Sequence, residues 1–288
     1  MRTPETVTAA TLRAWPLPPP GQGKEARGRT LVVGGSAATP GAVLLAAEAA
    51  LRCGAGKLQV ATVESVATAV GVALPEALVL GLPQTASGDI DPGAADQVLE
   101  LGAECASVLL GPGMMDVEVV RGLAAGVVPH LRRAVVLDAA GLAYAGEHPD
   151  GLRHLDGRAV LTPNPRELAL TLGREVDDAR RAVLELAARV GAVVSCGDAE
   201  TWVADPGGRL WHDQTGGVGL GVSGSGDVLA GIVTGLAARG AEPAQAAVWG
   251  SYLHGRAGDR LAAQVGRLGF LAREVLPEVP RVLEEVSV

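Results

Sequence analysis

The chain has 288 residues, with 24 Lys+Arg against 32 Asp+Glu, for a net charge of −8. That acidic balance and an aromatic content of 2% argue against nucleic acid and an anionic membrane surface as partners, since these need a basic footprint or stacking platforms. Hydrophobic residues at 48% supply a sizeable core, and the 40 glycines follow no Gly-X-Y period, so disorder and a collagen-like rod are excluded.

Residues 1–28 read as an N-terminal arm or linker. Residues 8–15 suggest a turn or two of helix, and residues 16–28 contain three consecutive prolines without periodicity. No stretch has the continuous apolar character of a signal peptide, and none reaches the ~18 residues of a membrane span. Cys53, Cys105 and Cys196 stand singly, neither a disulfide framework nor a Cys-x-x-Cys metal site, which points to a reducing, cytoplasmic setting.

From Arg29 onward the pattern is constant. Short apolar runs at 30–34, 58–62, 107–111, 134–138, 159–162, 192–195 and 201–204 read as strands. Helical patterns lie at 41–53, 65–73, 117–132, 178–190 and 227–239. The alternation predicts one α/β domain over 29–288, with a mostly parallel sheet covered on both faces. Trp202 and Trp211 fall in a hairpin around Asp205-Pro206-Gly207-Gly208, as packing residues or as walls of a ring pocket.

Ligands of such sheets bind beyond the carboxyl ends of the strands, so the residues just after each strand matter most. After the first comes Val33-Gly34-Gly35-Ser36, then Thr39-Pro40-Gly41-Ala42 opening a helix. It is neither a Walker A loop nor Gly-x-Gly-x-x-Gly. Later strand ends carry Gly111-Pro112-Gly113, Asp138 and Thr162-Pro163-Asn164-Pro165-Arg166-Glu167, where Asn164 is the only asparagine. An amide beside a carboxylate suits a substrate and a magnesium-bound water; an ordinary Asn-Pro turn with Glu in the first helical turn suits the same residues.

The strongest constellation is Gly224-Ser225-Gly226-Asp227 before an apolar helix. Glycines let backbone N–H groups face outward, and the helix N-terminus adds partial positive charge for a phosphate oxygen. Asp227 in the first turn is placed to deprotonate a hydroxyl that attacks a phosphoryl group. The plain alternative is a Gly-rich turn with Asp as a helix cap. The five histidines, including His212 and His254, show no ligand spacing and read as surface or internally satisfied residues.

Taken together these segments resemble the NAD(P)H-hydrate dehydratase family of ribokinase-like fold, over about residues 30–282. Residues 49–56, Ala-Ala-Leu-Arg-Cys-Gly-Ala-Gly, and a closing segment with His254-Gly255 and Ala257-Gly258-Asp259 add to the match. The resemblance implies a three-layer α/β/α domain that dehydrates hydrated NADH or NADPH back to the reduced cofactor. The ring hydroxyl is phosphorylated at the expense of ADP or ATP with Mg2+, and phosphate is then eliminated. It implies Asp227 as the base. Ala42, Gly113, Asn164 and Asp227 would face the hydrate. Gly197, Asp198, Ala199, Glu200, Thr201 and Gly226 would face the adenine nucleotide. The N–H groups of Gly224, Ser225 and Gly226 would hold the phosphoryl charge, and Glu167 is the candidate metal contact. A homo-oligomer and a separate hydrate epimerase are the implied partners.

The chain departs from the family pattern at four places. Asn164 stands where the family usually has His, and Asp138-Ala139-Ala140-Gly141-Leu142 lacks a second carboxylate. Gly197-Asp198-Ala199-Glu200-Thr201 replaces Lys-Gly-Ala-x-Thr, removing one positive charge and adding two negatives. Ser223 replaces the first glycine of Gly-Gly-Ser-Gly-Asp. Asn164-x-x-Glu167 also suits an alcohol kinase of the same fold, and the altered 197–201 segment suits a nucleotide-binding paralogue with changed catalysis.

Overall fold

The computed structural model describes residues 3–287. Ten strands form one sheet: β1 (Glu5–Thr6), β2 (Arg29–Val33), β3 (Lys57–Val63), β4 (Ala77–Leu82), β5 (Ser107–Leu110), β6 (Ala134–Leu137), β7 (Ala159–Leu161), β8 (Val193–Gly197), β9 (Thr201–Ala204) and β10 (Leu210–Asp213). Their order is β1-β10-β9-β8-β7-β6-β5-β2-β3-β4. Every pairing is parallel except those of β9 with β8 and β10, which close the expected hairpin.

The period of two along each strand builds two cores. Val32, Leu109 and Val136 point to one face and pack with helices Pro40–Arg52, Ser225–Ala238 and Pro243–Gln264. Leu31, Val33, Val108, Leu110, Val135 and Leu137 point to the other, under helices Val117–Val127, Pro165–Leu172 and Ala179–Val190. The result is the expected three-layer α/β/α arrangement.

Helices Pro40–Arg52 and Ser225–Ala238 approach closely where Gly231 and Gly235 face Ala46 and Ala50. A Cβ on Gly231 would lie 2.1 Å from the Ala46 carbonyl oxygen, and one on Gly235 would lie 2.4 Å from that of Ala50. This contact seats the N-terminus of Ser225–Ala238 over the sheet.

Residues 5–15 are part of the packed structure. β1 extends the sheet beside β10, and helix Ala9–Ala14 starts at a Thr8/Thr11 capping box. Trp15 stacks on Trp211 with ring centroids 5.7 Å apart, and its carbonyl accepts hydrogen bonds from Trp249 and Gln245. β4 escaped the sequence reading because it is an edge strand with Leu78 and Leu80 exposed and a glycine inside. The helical pattern at 117–132 ends earlier, at Val127, and gives way to a single tight turn, Val128–His130, containing Pro129. Among the described residues no helix is long and apolar enough to cross a membrane.

Candidate functional site

The ends of β2, β5, β6, β7 and β8 share one edge of the sheet, so their following loops converge. Gly35 N–H donates to the Pro112 carbonyl at 2.7 Å, and a Cβ on Gly34 would lie 2.3 Å from that same oxygen. Thr39 Oγ1 donates to the Gly113 carbonyl at 2.5 Å and is itself 2.7 Å from Ser36 Oγ. A Cβ on Gly113, which has φ +69°, would meet the Thr39 carbonyl at 2.6 Å and Ala42 Cβ at 2.8 Å. Gly34, Thr39, Ala42 and Gly113 therefore form one small-residue wall.

Two supports of this wall left no trace in the sequence reading. Buried Asp89 accepts the N–H groups of Met115 and Asp116 at 2.9 and 2.8 Å. Gly88 of the same loop accepts the N–H of Ala37. A lone Asp in a polar loop has no periodic signal; only the long-range contact shows its use.

Three carboxyl groups, of Asp138, Glu167 and Asp227, lie close enough to feel one another's charge. Asp138 ends β6, is buried, and accepts a hydrogen bond from Thr162 Oγ1 at 2.7 Å. Ala139, next in the chain, takes the left-handed conformation with φ +48°, a strained geometry for a residue other than glycine. Asn164 caps helix Pro165–Leu172: its Oδ1 accepts the Glu167 N–H, and Glu167 Oε2 accepts the Asn164 N–H, both at 2.9 Å. This capping box holds the two side chains in fixed register.

Half-buried Asp227 stands in the first turn of Ser225–Ala238. Burial first, and the charge of Glu167 second, push its carboxyl up from 3.8 to about 6. Asp138 is raised well above the usual range by burial and then by the charge of Asp227. Glu167 is raised by burial, partly opposed by its hydrogen bond from Asn164. The carboxyls at the ends of β6, β7 and the glycine loop thus share one electrostatic environment.

Gly224, with φ +91°, turns the chain into Ser225–Ala238, and a Cβ there would strike Leu45 Cδ1 at 2.5 Å. The loop is therefore pinned beside helix Pro40–Arg52. The N–H groups of Gly226 and Asp227 belong to the first helical turn and have no intrahelical acceptor, as an anion site requires. Ser225 differs from the expectation: its N–H donates to the Val222 carbonyl at 3.1 Å, so it is already engaged. Its hydroxyl lies 3.0 Å from Nε2 of His254, one of the histidines with no ligand spacing in the sequence.

Residues 197–201 form the turn between β8 and β9, with Asp198, Ala199 and Glu200 exposed. Glu200 is 2.6 Å from His212 Nε2 and accepts from Gln214 at 3.1 Å; Gln214 and then His212 hold its carboxyl below the usual range. His212 in turn stacks on Trp202 at 3.9 Å between ring centroids. The two tryptophans divide: Trp202 follows residues 197–201 and stacks on His212, while Trp211 packs against Trp15 in the core.

Among the described residues no group of three or more His, Cys, Asp and Glu side chains is arranged to hold a metal ion. Glu167 has one oxygen committed to its capping box. This donor set does not fit a resident all-protein cage. It fits a magnesium carried by nucleotide phosphates and water, which needs only one or two protein carboxylates.

The family model for NAD(P)H-hydrate dehydratase matches residues 30–281. The chain is 45% identical to an ADP-dependent (S)-NAD(P)H-hydrate dehydratase of Xanthomonas campestris, covering 98% of this chain and 96% of that one. It is 36% identical to a bifunctional NAD(P)H-hydrate repair enzyme of Moorella thermoacetica, covering 90% of this chain and 50% of that longer one. Among solved structures it is similar to an ADP/ATP-dependent NAD(P)H-hydrate dehydratase of Bacillus subtilis co-crystallized with ATP/Mg2+. The TM-score there is 0.83 at 27% identity, covering 99% and 100% of the two chains. The architecture is ribokinase-like. With a match that runs through the glycine wall, the Asn164–Glu167 cap and the Asp227 loop, the chain belongs to the NAD(P)H-hydrate dehydratase family.

Proposed function

We propose that this chain carries out its family's reaction, the ADP-dependent dehydration of (S)-NAD(P)H-hydrate, with Asp227 as the base on the ring hydroxyl. The observation that carries the reading is the position of Asp227. Its carboxyl, with a pKa near 6, sits in the same helical turn as N–H groups free to receive a phosphoryl oxygen. A general base works best when its pKa lies near the working pH, and here burial and the Glu167 charge supply the upward tuning.

Asp227 takes the hydroxyl proton as that oxygen attacks the terminal phosphorus of ADP, and AMP departs with the electrons of the broken P–O bond. The N–H groups of Gly226 and Asp227 receive the charge developing on the transferred group, with Gly224 shaping the loop. Phosphate then leaves the ring with its bonding pair as a ring C–H proton is lost and the double bond reforms. Phosphate is a far better leaving group than hydroxide, which is what the nucleotide contributes. The products are NAD(P)H, AMP and phosphate.

The glycine wall with Ala42 and Gly113 gives the dinucleotide close access to backbone. Asn164, whose Oδ1 is committed to the cap, presents its amide N–H groups to the same ligand. Residues 197–201 and Gly226 bound the nucleotide. Glu167 would be the protein contact for a magnesium ion brought in with the nucleotide, which when bound would lower the phosphate charge. Gly197 stands where the family has a lysine, and Asp198 and Glu200 add negative charge beside it. ADP, with less charge than ATP, is repelled less there and is the preferred donor.

A homo-oligomer, a cytoplasmic setting and a hydrate epimerase as functional partner complete the reading. The test is a phosphate count with pure protein, the hydrate, Mg2+ and ADP. One free phosphate per hydrate consumed is expected. A stable phosphorylated hydrate with no free phosphate would instead make this a kinase. No phosphate chemistry at all would make it a binding paralogue.

A further inference from the structure

We propose that His254 is a positioning residue for the phosphoryl loop, holding the Ser225 hydroxyl so that its proton points at the transferred group. The proposal rests on the function inferred above and assigns that loop a third donor. With its N–H spent on Val222, Ser225 can serve an anion only through Oγ. That oxygen is 3.0 Å from His254 Nε2, and Ser225 is 5% exposed, so bulk water does not orient the hydroxyl.

His254 is fixed in place. It rides on helix Pro243–Gln264, where the next residue, Gly255, packs so tightly that a Cβ would lie 2.3 Å from Thr215 Oγ1. One turn earlier a Cβ on Gly250 would lie 2.7 Å from Val233 Cγ2 of helix Ser225–Ala238. The backbone that carries the imidazole is therefore held at a fixed distance from Ser225 by two packed segments. Burial lowers its pKa to about 4, so it is neutral under working conditions and carries a single N–H. With that proton on Nε2, the ring donates to Ser225 Oγ. The hydroxyl proton is then directed away from the ring and is left to serve an anion at the N-terminus of Ser225–Ala238. With the proton on Nδ1 the direction reverses and the hydroxyl is lost to the ligand. The tautomer is the crux.

Two measurements test this. The nitrogen-15 spectrum of the imidazole should show a protonated Nε2, and a protonated Nδ1 overturns the proposal whether or not the protein is active. Steady-state kinetics should show Ser225→Ala and His254→Leu each lowering kcat roughly tenfold, the scale of one lost hydrogen bond. The KM for ADP should move less than the rate. The double variant should be no slower than Ser225→Ala alone, and His254→Gln, which keeps an N–H donor near Nε2, should recover most of the rate. Multiplying losses, a normal kcat in folded His254→Leu, or a Gln variant no better than Leu would overturn it. A wild-type protein without phosphate release sinks the functional reading instead, and the spectrum still decides the tautomer.

Discussion

Asp227→Asn removes the base and its charge while keeping the shape of the side chain. Loss of a general base lowers the rate by about 10²–10⁴-fold. The same change acts on stability in the opposite direction. The folded carboxyl titrates at about 6 rather than at its ordinary 3.8, so the folded chain binds this proton more tightly than the unfolded one. Stability therefore declines as pH rises from about 4 to about 6 and is flat above. At about 1.4 kcal/mol per tenfold change the full cost is about 3 kcal/mol; solvent screening at a half-buried site brings it to about 1–3 kcal/mol. Asn carries no such cost, so the variant should be the more stable protein at pH 8, and its advantage should shrink to about a third at pH 4.5. Urea titrations at the two pH values, paired with single-turnover recovery of NADH, read both effects. A variant that is less stable at pH 8, or that keeps a rate within tenfold of the parent, refutes the reasoning.

Three further outcomes follow from the same geometry. In the parent enzyme log kcat/KM should rise with unit slope below about pH 6 and level off above it, because only the deprotonated Asp227 accepts the hydroxyl proton; a flat profile there removes Asp227 as the base. Thr39→Val deletes the 2.5 Å bond to the Gly113 carbonyl, and should raise the KM for the hydrate several-fold while leaving that for ADP unchanged, as steady-state titration of each substrate will show. Gly231→Ala forces a methyl to within 2.1 Å of the Ala46 carbonyl and should cost about 1–3 kcal/mol or more in a urea titration, despite the better helix propensity of alanine.

The layout of the sheet was legible because β2, β5, β6, β7 and β8 are buried on both faces and read as short apolar runs between helices. The glycine loops were legible because the close approaches they permit need that residue and no other. What stayed hidden depends on contacts distant in sequence. β1 is two residues long and exists only because β10 offers an edge. The capping box of Asn164 and Glu167 could be read from spacing, but its proximity to Asp138 and Asp227 could not. Asp89 gave no pattern, and His254 entered only as part of the closing segment of the resemblance: the partners that give each its use, Met115 and Asp116 for the one and Ser225 for the other, lie 26 or more residues away. The sequence also misassigned one donor, since the engagement of the Ser225 N–H follows from the local turn and not from composition.

The measurement that bears most directly on the central claim is the return of reduced-nicotinamide absorbance from purified (S)-NADH-hydrate and Mg2+, with ADP in one cuvette and ATP in another. The account predicts recovery with wild-type protein, faster with ADP than with ATP, and slower by about a hundredfold or more with Asp227→Asn. A folded wild-type protein that restores no absorbance with either nucleotide would contradict it.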